Sequence, residues 1–477
     1  MSMRIKDVRN RKIDLLLITP SSDYKKRRRE LMGRRIEEDI VVQNSPAPGI
    51  GYLIAVAKQN NAKVKYIDMI AEYTSIEQLL RYISEQKPAL VGFTSMTVQI
   101  NDAGAIAKEI KKQFPEVSIC IGGIHPTVMP KETLEEFDGF DFVVCGEGEY
   151  VMTKVLDALK NGSNIEEIKG VITREKEDCS FDLIEDLDAL PFPAWEELNL
   201  DRYTGVFPHR RKLELPMCTS RGCPNSCIFC VQQYGRRRRQ RSVASVISEI
   251  ERNISDFGCD AIAFIDDTFL IDVKWGYELF NTMIERGINK KITWACEFRV
   301  DAASPELLRL MKKAGCYYIF FGIESANENI LKTVKKNLNI DQVKNTVKWC
   351  QDVGIVPCGS IIIGLPGETE ETVTESIKFA QGLNLYSITF PMAVPFPGTV
   401  LRDLALKREY GLKILTNNWS DYGKQYPGVM DSDHLSMGRL KELQDFAYKC
   451  LPKKKINVYI AKMEKGQIVR GSQTHVH

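Results

Sequence analysis

In "TSRGCPNSCIFC", residues 219–230, Cys223, Cys227 and Cys230 stand in the spacing C-x3-C-x2-C. With 13 cysteines among 477 residues, such a triplet is expected by chance about 0.01 times per chain. Structural zinc calls for four closed ligands, usually two pairs separated by a dozen or more residues. Here three thiols fall between 223 and 230, and no second pair follows. Cys218 lies in an apolar strand just upstream and reads as packing. Three thiolates on a four-iron four-sulfur cluster leave one iron without a protein ligand, and an open iron can take a substrate or cofactor.

The elements that must carry this loop are legible on both sides of it. From residue 13 to about 160, short apolar strands ("IDLLLITP", "KVKYID", "ALVGFTS", "VSICIGG", "DFVVCGEGE") alternate with amphipathic helices. Near-continuous Val, Ile and Leu in the strands predict a parallel sheet covered on both faces. Ligands of such sheets bind beyond the strand carboxyl ends. Those ends read "TPS", "FTSMT", "GGIHPT" and "CGEGE", small, Gly-rich and hydroxyl-bearing, so a large flat ligand can approach the backbone closely. Residues 165–210, with the Pro-rich "LPFPAWEEL", read as a linker that lays its aromatics on the surface. From 211 the alternation resumes with six strand–helix units, which predicts a barrel or partial barrel with its chemistry at the strand carboxyl ends. The cysteine loop follows the first of these strands. Residues 411–477 read as a small, mainly helical extension.

Composition narrows the function classes. Lys plus Arg exceeds Asp plus Glu by 65 − 63 = +2, which gives no global attraction to nucleic acid or membranes. The basic runs "KKRRRELMGRR" (25–35) and "GRRRRQR" (235–241) read as solvated loops or sites for a small anion. The first residues carry no apolar signal segment, and no run reaches the roughly 18 apolar residues of a membrane span. Cysteines scattered singly through apolar segments fit a reducing compartment, so a cytoplasmic protein is expected. The tail "GQIVRGSQTHVH" shows no periodicity, and no role is expected for His475 or His477.

Cysteines in C-x3-C-x2-C after the first strand of a six-unit barrel resemble the radical S-adenosylmethionine (SAM) superfamily. The resemblance implies a 4Fe-4S cluster on Cys223, Cys227 and Cys230, whose open iron chelates SAM. It further implies SAM contacts from Phe229, from Asp266 and Asp267 in "FIDDTF", from Arg299 in "CEFRVD", from Glu324 in "FGIES", and from Gly364 and Pro366 in "IIIGLPGET". "PAPGIGYLIAVA", "VGFTSMT", "IGGIHPTVMPKE" and "VVCGEGE" resemble the cobalamin-binding domain of cobalamin-dependent members, with the anaerobic magnesium-protoporphyrin ester cyclase-like family as the closest general pattern. That likeness implies cobalamin contacts from Gly49, Ser95, Met96, Thr97, Gly122, Gly123, His125, Gly146, Glu147 and Gly148. The D-x-H-x-x-G motif is absent, so His125 is expected near the corrin without ligating cobalt. The expected architecture is α/β: a tail (1–12), a Rossmann-like, flavodoxin-like cobalamin-binding domain (13–164), a linker (165–210), a partial (β/α)6 radical SAM barrel (211–410) and the extension (411–477).

The implied activity is methylation of an unactivated carbon of a small molecule, using methylcobalamin and a 5′-deoxyadenosyl radical, with electrons from a flavodoxin or ferredoxin. The alternatives are ring closure, rearrangement or oxidation without methyl transfer. A methylthiotransferase is more remote, because it would carry three further clustered cysteines, whereas Cys120, Cys145 and Cys179 are dispersed. Nucleic acid is not expected as a partner. Catalytic side chains and the substrate have no readable code.

Overall fold

The computed structural model describes residues 12–20, 45–176, 178–203, 205–206, 212–424 and 428–451. The basic run 25–35, the tail 1–11 and the terminal histidines lie outside the described residues. The first sheet is built from β1 (Leu15–Thr19), β2 (Val64–Asp68), β3 (Leu90–Thr94), β4 (Ser118–Gly122), β5 (Phe142–Val144) and β6 (Val171–Ile172), in the order β2-β1-β3-β4-β5-β6. Its apolar strands explain the arrangement, since both faces must be buried under helices. β1 pairs with β2 and β3 in parallel, so the chain reverses winding direction between them. In open α/β sheets that reversal opens a crevice at the carboxyl ends. β6 pairs antiparallel with β5, which carries the sheet into the segment read as linker.

β7 (Glu214–Met217) opens the second sheet, and β10 (Ala261–Phe269), β11 (Thr293–Phe298), β12 (Cys316–Glu324), β13 (Val356–Ile361) and β14 (Ser387–Thr389) follow. All neighbours are parallel, in sequence order from β7 to β14, and those two strands form the open edges. This is the partial barrel. The helices outside it begin where their caps dictate: Ser304 accepts from Leu307 N ahead of Pro305–Lys313, and Ser242 accepts from Ser245 N ahead of Val243–Phe257. Between β7 and β10 lies a two-stranded antiparallel neck, β8 (Ser220–Arg221) and β9 (Arg239–Gln240), which brackets the cysteine loop. In the extension, β15 (Lys413–Ile414) pairs antiparallel with β16 (Met430–Asp431), ahead of the helix Met437–Cys450.

One hydrophobic core runs through both units. The linker departs from the expectation of surface aromatics: Trp195 is fully buried within that core. Gly51 makes room for it, since a Cβ there would come within 2.7 Å of Pro193 Cβ. Burying an indole supplies more apolar contact than surface packing, and the interdomain seam is where space for it exists. Among the described residues no helix is long and apolar enough to cross a membrane.

Candidate active site

The cysteine loop leaves β7 at its carboxyl end and is held there by the two aspartates of β10. Asp266 Oδ1 accepts from Thr219 N (2.9 Å), Thr219 Oγ1 (2.8 Å) and Ser220 Oγ (2.6 Å). Asp267 Oδ2 accepts from Gly222 N at 2.9 Å. Both acids therefore brace the loop, a role the sequence reading did not assign. Burial raises the pKa of each. Asp266 Oδ2 is buried without a hydrogen-bond partner, and a lone buried carboxylate oxygen is costly until a donor reaches it. An incoming ammonium group such as that of SAM meets that need.

The thiols share this end of the barrel. Cys223 Sγ lies 3.0 Å from Thr268 Oγ1 and accepts from Asn225 Nδ2 at 3.2 Å. Cys230 donates towards Cys227, which lowers the Cys227 pKa and raises that of Cys230, and Lys336 lowers Cys227 further. Donors and cations of this kind favour thiolate, the form that binds iron. Among the described residues no group of three or more His, Cys, Asp or Glu side chains is drawn together as for a single metal ion, although Cys227 and Cys230 are in hydrogen-bond contact. The donor set fits an iron–sulfur cluster held by Cys223, Cys227 and Cys230.

Around the barrel rim, Glu324 takes a left-handed backbone (φ 68°). Its carboxylate accepts from Lys336 Nζ at 3.1 Å and Ser360 Oγ at 3.5 Å. Burial alone would lower the Lys336 pKa, but Glu324 and the Cys227 thiolate outweigh it and raise it. Arg299 is engaged by Asp301 (2.6 Å) and by Asn337 O (3.1 Å). Phe229 packs on an apolar cluster that includes Ile228, Ile330 and Leu365, which brings it beside the turn Gly364–Pro366–Gly367. That turn is pinned by buried Glu368, which accepts from Gly364 N (2.7 Å) and Leu365 N (3.0 Å) and whose pKa burial raises to about 8. Glu297, outside the expected set, keeps its side chain open to solvent yet is surrounded by enough protein atoms that lost hydration raises its pKa, with Lys424, Glu324, Lys336 and Asp267 as its charged neighbours. The available signal was its place next to the carboxyl end of β11, two residues before Arg299.

In the first unit the expected residues divide. Gly122 ends β4 and Gly123 follows it, while Ser95 and Met96 lie just beyond β3, with Met96 54% exposed. Gly123 has φ 100°, and a Cβ on it would sit 2.7 Å from Ser95 O, so only glycine fits this close approach of the two loops. Gly49 has open space around it. This floor of small residues fits a corrin. Thr97 and His125 are buried and lie 3.3 Å apart at Oγ1 and Nδ1. The His125 ring packs edge-on against Trp419 of the extension, and burial lowers its pKa to about 4. It is a packing residue beneath the extension. Gly146 and Gly148 flank Glu147, whose carboxylate is buried at the seam. Glu147 Oε1 accepts from Arg221 Nη1 at 2.6 Å, and Oε2 accepts from Arg239 Nη1 and from Ile184 N. Arg221 also reaches Glu149 at 2.6 Å. Glu147 thus joins the two units through both of its carboxylate oxygens, a role the sequence reading did not assign. The basic run 235–241 is likewise partly internal: Arg239 and Arg241 are buried, and Arg241 pairs with Glu249.

Two family models match this arrangement: Radical SAM superfamily over residues 217–380, and B12 binding domain over residues 41–156. An uncharacterised methyltransferase of Pyrococcus horikoshii is 32% identical over 421 residues, covering 86% of this chain and 88% of the relative. The anaerobic magnesium-protoporphyrin IX monomethyl ester cyclase of Cereibacter sphaeroides is 29% identical over 367 residues, 75% of this chain and 60% of the relative. Among solved structures, the radical SAM methyltransferase TsrM of Kitasatospora setae, with cobalamin and a 4Fe-4S cluster bound, superposes with a TM-score of 0.69 at 18% identity, covering 91% of this chain and 88% of that one. The chain belongs to the radical SAM superfamily, in the cobalamin-dependent group that carries a B12-binding domain ahead of the barrel. Its cofactors are accordingly a 4Fe-4S cluster, SAM and cobalamin.

Proposed function

We propose that this enzyme methylates an unactivated carbon of a small-molecule substrate. The observation that carries the reading is the direct tie, through Glu147 and Arg221, between the loop after β5 in the cobalamin-binding sheet and the neck of the cysteine loop. It sets the carboxyl ends of both sheets against one seam, where two cofactors can act on one substrate. When bound, the cluster and SAM supply hydrogen abstraction, and cobalamin carries the methyl group. The protein's own residues then have separable tasks. Cys223, Cys227 and Cys230 hold the cluster. Asp266 and Glu324 receive donors of SAM, with Phe229 and the Gly364–Pro366 turn beside its adenosine. Ser95, Met96, Gly122 and Gly123 underlie cobalamin. Exclusion of water and fixed orientation are what the scaffold adds to cofactor chemistry. We further infer a cytoplasmic location, in keeping with 13 free cysteines, and reduction by a flavodoxin or ferredoxin. Residues 13–164 and 211–410 are taken as the two cofactor domains.

The cyclase relative favours one second reading, ring closure on the same cofactors. The test is anaerobic reconstitution with iron, sulfide and cobalamin, followed by SAM and a low-potential reductant. Wild type should form 5′-deoxyadenosine and Cys227→Ala none. Label from methyl-labelled SAM should then enter the product of methylation, whereas ring closure leaves the product unlabelled. If SAM fails to perturb the spectrum of the reconstituted cluster, the open-iron reading is wrong.

A further inference from the structure

We infer that Glu147, a residue of the cobalamin-binding unit, is the positioning residue for the cluster loop of the barrel. The argument begins with the neck of that loop. Arg221 ends β8, Arg239 begins β9, and the two are direct register partners in the antiparallel pair. Residues 222–238, which contain all three cluster cysteines, thus leave and return through one gate. Both arginines of the gate close on the same carboxylate: Arg221 Nη1 on Oε1 at 2.6 Å, and Arg239 Nη1 on Oε2 at 2.5 Å. Ile184 N of the linker completes the set at 2.6 Å. The side chains of Glu147, Arg221 and Arg239 are 0%, 8% and 3% exposed.

A charged hub at this depth is held by geometry, because any displaced partner leaves a buried charge uncompensated. Arg221 has little freedom to choose another site. Its second nitrogen is on Glu149, and its guanidinium lies over the rings of Tyr52 (5.3 Å) and Tyr234 (5.6 Å). One residue further on, Gly222 has φ 89° and donates to Asp267, and Cys223 N donates to Gly235 O at 3.3 Å across the loop. The path from Glu147 to the first cluster cysteine is therefore continuous: carboxylate, Arg221, Gly222, Cys223. Partners beyond the ligands orient them and set how tightly a metal centre is held. Here that outer support comes from the other domain.

The inference rests on the reading that these cysteines bind the cluster, and the experiment separates the two. Wild type, Glu147→Gln and Arg221→Lys are reconstituted anaerobically as full-length chains. Glu196→Gln is the control, because Glu196 makes an ionic contact to Lys58 and to Arg252 away from the cysteine loop. Folding is checked by thermal melting. Iron retention under a chelator and the electron paramagnetic resonance spectrum of the reduced cluster, with and without SAM, are recorded. Glu147→Gln should lose iron about 10-fold faster or more and show a weakened SAM-induced spectral change, with Glu196→Gln like wild type. Arg221→Lys keeps the charge but cannot grip Glu147 and Glu149 together, so it should show the same loss. It decides the matter if Glu147→Gln does not fold. Folded variants that retain iron and respond to SAM as wild type does overturn the inference. A wild type that takes up no cluster overturns instead the reading of the cysteines.

Discussion

Protonation at single residues sets much of the chemistry at the seam. Cys227 is held towards thiolate by the Cys230 thiol and by Lys336, while Asp266 is pushed the other way by burial. The clearest consequence for stability lies at His125, whose pKa falls from 6.5 to about 4, chiefly through burial and then through the nearby Arg402. Below pH 6.5 the unfolded chain binds a proton that the folded chain refuses, so stability declines as pH falls from there towards about 4. Linkage puts the loss between pH 7 and pH 5 at about 2 kcal/mol. His125→Asn should remove that part of the slope. Urea unfolding of both proteins at the two pH values measures it, and an unchanged difference would mean that His125 titrates normally.

At the scale of elements, the cluster loop depends on backbone conformations that few residues tolerate. Gly222 combines φ 89° with a Cβ direction blocked by Arg237 O. Gly258, which ends the helix Val243–Phe257, has φ 65° but open space around it. Gly258→Ala should cost about 1 kcal/mol, the penalty of a left-handed L residue, and leave iron content unchanged. Gly222→Ala carries that penalty and a backbone clash, so it should cost more than about 2 kcal/mol and lower the iron bound per chain. Thermal melts with iron assays compare the two. Equal behaviour would show that the loop relaxes around Gly222.

Taken as a whole molecule, the protein is closed by its extension as well as by its linker. Trp419 donates to Glu136 at 2.7 Å, meets the His125 ring edge-on, and lies 5.0 Å under the Arg402 guanidinium. Asn101 donates to Asn418 and Ser420 close by. A segment from beyond the barrel thereby grips the cobalamin-binding unit from the side opposite the linker. Trp419→Ala should cost about 3 kcal/mol, the usual scale for truncating a buried aromatic, and should expose the 416–422 segment to proteolysis. Limited digestion beside denaturant unfolding reads both effects, and a protected segment in the variant would count against the clasp.

The two sheets, their order of appearance and the cysteine loop were legible in the sequence because each rests on local rules. Alternating apolar runs predict buried parallel strands, Ser304 and Pro305 start a helix, and three close thiols restrict the metal chemistry. What lay beyond reach depended on contacts across the chain. Glu147 looked like part of a ligand loop, and only the fold brought Arg221 and Arg239 onto it. Asp266 and Asp267 carried no sign that they brace the loop more than 40 residues upstream. Trp195 and Trp419 read as linker and extension, yet the first is core and the second a clasp. Local propensity and spacing act over a few residues and survive in any context, so the sequence alone determined elements and cofactors. Charge pairing and aromatic burial at the seam depend on which distant segments meet, and that was decided by the tertiary structure.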